Sequence, residues 1–159
     1  MQKRWLISKP AKKALTHINQ HPGIRYRQLL RLSGLANRVL SFHLKRPREF
    51  KRVKAKKLGY NIIRYYPVAV KTTETDVLDH LLDPTRRKII FLLLEHSDCR
   101  LQEIVDYVNK ARSTTWVHLQ ILERAGIVYV LRVNRKNQFY RLKNKSRIIR
   151  TVSKYKITP

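Results

Sequence analysis

Residues 83–128 read DPTRRKIIFLLLEHSDCRLQEIVDYVNKARSTTWVHLQILERAGIV, and this run decides the fold. Asp83 is a side-chain cap and Pro84 suits the first helical position, where no backbone N–H is needed. Ile89, Ile90, Leu93 and Leu94 then fall on one helical face. Ser97-Asp98 makes a turn, and Leu101, Ile104, Val105 and Val108 mark a second, shorter helix. After a turn at Asn109 to Arg112, Thr115, Leu119 and Leu122 give a third helix, which Gly126 stops. Ser113, Val117, Gln120 and Arg124 lie on its opposite face, with Trp116 on the flank and no clear core to pack on. The runs VYVLRV and QFYRL follow. They are β-branched and aromatic, and they flank Asn134-Arg135-Lys136-Asn137 as a hairpin with a basic tip.

The same plan recurs upstream. Shifting the chain by 75 residues sets Ala14, Leu15 and Ile18 on Ile89, Ile90 and Leu93, and His43-Leu44 on His118-Leu119. Further on, a shift of 74 sets RYYPV (64–68) on QFYRL (138–142). A fixed internal period is an organisational signal. Ser8 caps a first helix with Pro10 in its first turn. A second helix covers about Arg27 to Leu32 and a third about Ala36 to Arg46. A hairpin follows, with its tip near Lys56 to Gly59. The polar, Thr-rich stretch Val70 to Asp76 joins the halves. The expected architecture is mainly α with small β-hairpins, an α+β class with two tandem winged helix-turn-helix domains. These cover residues 1–70 and 71–145, followed by a C-terminal helix or tail at 146–159.

DPTRRKII (83–90), its spacing to HLQILERAGIV (118–128) and the later FYRL (139–142) resemble winged-helix transcription regulators of the ArsR and MarR type. The resemblance covers residues 76–143 and is weaker over 10–68, where KRPREFKRV stands after the third helix. Tandem winged-helix proteins of archaeal type are similar to the whole. The resemblance implies sequence-specific binding of double-stranded DNA, with the third helix as reader.

Charge points the same way. The 159 residues carry 36 Lys and Arg against 10 Asp and Glu, a net +26. Such a field attracts polyanions. Residues 1–70 hold 18 basic residues and 1 acidic, and residues 111–159 hold 12 and 1. Residues 71–110 hold 6 basic and 8 acidic, so the acids gather on the linker and on the first two helices of the second half. A surface meant for phosphates explains that polarity. One cysteine, Cys99, excludes an internal disulfide and any site needing two thiolates from one chain. It is expected to be a small buried residue. No signal segment or membrane span is legible, which places the chain in the cytoplasm, associated with the nucleoid. No catalytic constellation, metal set or cofactor motif emerges, and the chain is not expected to be an enzyme.

Third helices of helix-turn-helix units enter the major groove. The candidate readers are Asn37, Arg38, Ser41, Phe42 and Lys45 in the first half, and Arg112, Ser113, Trp116, Val117 and Gln120 in the second. Arg forks onto guanine, Gln or Asn onto adenine, and apolar groups meet the thymine methyl. The wings offer Lys54, Lys56, Lys57, Arg132, Arg135 and Lys136 to phosphates, which position without specifying sequence. His43 and His118 occupy equivalent places and are expected to bridge core and backbone rather than bind metal. The C-terminal helix carries Ile148, Val152 and Tyr155 on one face. That face either pairs two chains into a homodimer or packs on its own half. The rival functions are an architectural, nucleoid protein that coats DNA with little sequence preference, and an RNA or transcription-machinery adaptor in which one winged helix holds protein.

Overall fold

The computed structural model describes residues 7–46, 52–58, 61–134 and 137–159. The chain divides into two compact units, Met1–Thr75 and Asp76–Pro159. Unit 1 runs α1 (Lys9–Gln20), β1 (Ile24–Arg25), α2 (Tyr26–Ser33), α3 (Asn37–Leu44), β2 (Val53–Lys57) and β3 (Ile63–Pro67). α4 (Thr72–Leu81) crosses the border. Unit 2 continues with α5 (Pro84–Glu95), α6 (Leu101–Val108), α7 (Arg112–Arg124), β4 (Val128–Arg132), β5 (Gln138–Leu142) and α8 (Lys145–Lys154).

The offset of 75 holds element by element. It relates α1 to α5, α2 to α6, β2 to β4 and β3 to β5, bound for bound. The two-residue strand β1 pairs Ile24 with Tyr65, and the bridge Cys99–Tyr140 stands at the same offset. The slip to 74 in the hairpin is therefore a misreading. Tyr65 and Tyr140 both pack into the cores of their units, and each pairs with the short segment before the second helix. α2 and α6 both end in a left-handed cap, Gly34 at φ 60° and Asn109 at φ 51°.

Each unit closes its own core. In unit 1, Ala14, Leu15 and Ile18 of α1 pack with Ile24, Leu29, Leu40 and Tyr65. The sheet order is β1-β3-β2, all antiparallel. In unit 2, Ile89, Ile90 and Leu93 meet Ile104, Val108, Leu119, Leu122, Val128, Tyr140 and Leu142. Thr115, Leu119 and Leu122 are buried on the inner face of α7, as the periodicity implies.

Two expectations change. The Thr-rich joining segment is the helix α4, whose Val77, Leu78 and Leu81 are buried. Its β-branched first turn masks a helical apolar spacing. The units part at Thr75–Asp76. The C-terminal segment is not a separate tail: Ile148 is buried in the core of unit 2, and Val152 packs against it. The pairing face expected of Ile148, Val152 and Tyr155 is thus largely spent within its own unit.

α1 and α5 start at side-chain caps. Ser8 Oγ accepts from the Ala11 N–H at 3.4 Å, and Asp83 Oδ1 accepts from the Arg86 N–H at 2.9 Å. Burial pushes the Asp83 carboxyl up. The Arg86 backbone and guanidinium hydrogen bonds and the charges of Arg86 and His118 outweigh that and leave it below its ordinary value. A carboxyl depressed by folding contributes stability above its unfolded pKa of about 3.9, and the contribution is lost as pH falls through the folded value. Asp83→Ala is expected to destabilise unit 2 by about 0.5–2 kcal/mol at neutral pH. Urea melts at pH 7 and pH 2.5 check it: the difference from wild type shrinks in acid.

Candidate nucleic-acid interface

α3 is short and amphipathic. Leu40 and His43 face inward, while Asn37, Arg38, Phe42 and Lys45 are exposed and Ser41 is half-buried. α2 adds exposed Arg27 and Arg31. The chain holds no acid before Glu49, so the charged side chains on this α2–α3 face are all basic. Tyr26, which sequence reasoning missed, fixes the start of α3. Its hydroxyl donates to Asn37 Oδ1 at 2.5 Å and lies 3.2 Å from the Asn37 carbonyl. Reading adenine needs both ends of an amide. The Asn37 oxygen thus already accepts one hydrogen bond within the unit.

α7 differs. Arg112 and Ser113 are exposed, and Trp116 and Val117 are 48% and 49% accessible. Arg112 donates to Gln102 Oε1 at 2.8 Å, tying α7 to α6. Gln120 is half-buried, and its amide donates to Glu123 at 3.2 Å, so its rotation on the helix turns it partly inward. α6 presents Glu103, Asp106 and Tyr107 to solvent. The face of unit 2 is thus mixed in charge, unlike that of unit 1, while both carry an exposed apolar side chain at the same offset, Phe42 and Val117.

Both third helices dock through a histidine. Ser8 Oγ and His43 Nδ1 are 3.4 Å apart, and Asp83 Oδ1 and His118 Nδ1 are 3.9 Å apart. In each unit the imidazole lies against the residue that caps the first helix. Among the described residues no cluster of three or more His, Cys, Asp or Glu is placed to hold a metal. Cys99 is buried. Burial pushes its thiol pKa up, and the carboxylates of Glu103 and Asp98 add to that.

The wing residues divide. β2 runs through Lys57, and the Leu58 N–H donates to the Ile62 carbonyl at 2.8 Å. Lys54, Lys56 and Lys57 therefore lie within a strand and not at the hairpin tip. Lys54 is half-buried, and its ammonium donates to the Val70 carbonyl at 2.8 Å. Lys56 is half-buried and Lys57 exposed. Arg132 ends β4, exposed, while Arg135 and Lys136 lie outside the described residues. Asp98 accepts from Arg141 Nε and, at 2.7 Å, from its Nη2, anchoring β5 to the turn before α6. Among the described residues no helix is long and apolar enough to cross a membrane.

Comparison with known proteins bears on unit 2. Residues 83–130 match the family model of bacterial regulatory proteins of the arsR family. No curated protein matches the chain. Similar solved structures include the transcriptional repressor BigR from Xylella fastidiosa, at 26% identity and TM-score 0.46, covering 54% of this chain and 85% of that one. HlyU from Vibrio cholerae N16961 is similar at 20% identity and TM-score 0.46, covering 53% and 89%. The matched span begins at the cap Asp83 and ends inside β4. That segment is similar to the helix-turn-helix of the arsR family.

Proposed function

We propose that the chain is a transcriptional regulator that binds double-stranded DNA through two tandem winged helix-turn-helix domains. The third helix of unit 1 enters the major groove, and the basic strands of the wings lie along phosphates. The observation that carries this reading is the offset of 75. It relates the unit holding the arsR-like helix-turn-helix to a second unit of the same element order, whose exposed face carries Arg27, Arg31, Arg38 and Lys45. Such a face neutralises phosphates and brings guanidinium groups to base edges. The test is selection of bound duplexes from a random pool at two salt concentrations. A specific regulator yields one preferred sequence at both. A DNA-coating protein yields none, while its affinity still falls steeply with salt.

A second reading is favoured by unit 2 alone. Its exposed Tyr107, Trp116 and Val117 beside Glu103 and Asp106 suit protein contact better than phosphate contact. Under that reading Trp116→Ala with Val117→Ala leaves duplex affinity unchanged. Under the first reading it lowers affinity.

A further inference from the structure

We propose that Phe42 and Arg46 form a stacked pair that reads a thymine methyl and a guanine on adjacent base pairs. The proposal rests on the DNA-binding reading of unit 1 and states what one end of that surface recognises. The Arg46 guanidinium carbon lies 4.0 Å from the centroid of the Phe42 ring. Both residues are exposed, Phe42 at 51%. A cation over an aromatic face is held electrostatically. A planar guanidinium stacked there keeps its N–H edge free for a fork onto a two-acceptor partner.

Spacing selects the target. Base pairs rise by about 3.4 Å, and the guanidinium carbon lies 4.0 Å from the ring centroid, a spacing that suits neighbouring base pairs. Guanine offers N7 and O6 as paired acceptors, and thymine alone among the four bases carries a methyl group in the major groove. The position is within reach. Eight helical residues span about 12 Å, similar to the groove's width of about 12 Å. The last turn of α3 therefore stays inside the groove.

The pair is peculiar to unit 1. α3 ends at Leu44, and the Arg46 N–H curls back to the His43 carbonyl at 3.2 Å. The side chain is thus outside the helix and returns over Phe42. At the same offset unit 2 has Val117 and Ile121, and α7 runs on to Arg124 with Ile121 half-buried. Preorganisation is the physical advantage: an Arg already held on its ring has less freedom to lose on binding.

The test uses a duplex selected by the full chain, its thymine replaced by uracil or its guanine by 7-deazaguanine. The wild type is expected to lose about fourfold for the missing methyl and about tenfold for the missing N7 acceptor. Phe42→Ala should abolish the thymine–uracil difference. Arg46→Ala, which leaves no donor at this position, should abolish the guanine–deazaguanine difference. Circular dichroism confirms that both exposed-site variants fold. Equal binding of the thymine and uracil duplexes by wild type overturns the proposal, as does a selected sequence lacking the step. So does a variant that weakens all duplexes alike. If no sequence emerges from the pool, the regulator reading falls and this proposal with it.

Discussion

Arg38→Ala combined with Lys45→Ala is expected to lower affinity for a selected duplex by about 2–4 kcal/mol, roughly 30-fold to 1000-fold at 25 °C. Both side chains are exposed on α3, so the loss comes from binding and not from folding. They lie seven positions apart, two helical turns or about 10 Å, far enough for their effects to add closely. Their roles separate in the single variants. Arg38 sits in the first turn, where reader helices meet base edges, so its removal relaxes sequence preference. Lys45 follows the last turn. Its removal weakens all duplexes alike and lowers the slope of log affinity against log salt by about one. Titrations at several salt concentrations distinguish the two. Unchanged affinity in the double variant would remove α3 from the interface.

Leu119→Ala is expected to destabilise unit 2 by about 2–5 kcal/mol. Leu119 is fully buried among residues of α5, α6 and the β4–β5 hairpin. Truncation leaves a cavity that rigid neighbours fill only partly. A domain of this size is stable by only about 5–15 kcal/mol, so the change is large. Val117→Ala, on the opposite face and half exposed, should stay within about 0.5 kcal/mol. Denaturant melts of both variants measure the contrast. Similar melts for the two would mean that α7 is not rotated as described.

Much of this fold is legible in the sequence because caps and periodicity are local. Asp83-Pro84, Ser8 with Pro10, and the spacing of Thr115, Leu119 and Leu122 each carry their own physical signal. The missing parts are those where tertiary context decides. β1 and the Cys99 bridge are too short to show a period of two. α4 hides behind a threonine-rich first turn. The lysines of β2 read as a tip because lysine is common in exposed turns, yet the strand continues until Leu58 closes on Ile62. On the candidate surface, periodicity alone places Arg38, Phe42, Trp116 and Val117 outward. It cannot show that Gln120 turns to Glu123 or that Tyr26 holds Asn37. The four-residue spacing of Phe42 and Arg46 is visible in the sequence, but the end of α3 that lets them stack is not.

Guanine methylation interference on a selected duplex tests the central claim most directly, because N7 of guanine lies in the major groove and N3 of adenine in the minor groove. With the third helix of unit 1 seated in the major groove, methylation at one or more guanine N7 positions should block binding, and Arg38→Ala should erase at least one of those positions. Binding that tolerates every N7 methyl group, or is blocked only by methylation at adenine N3, would contradict the account.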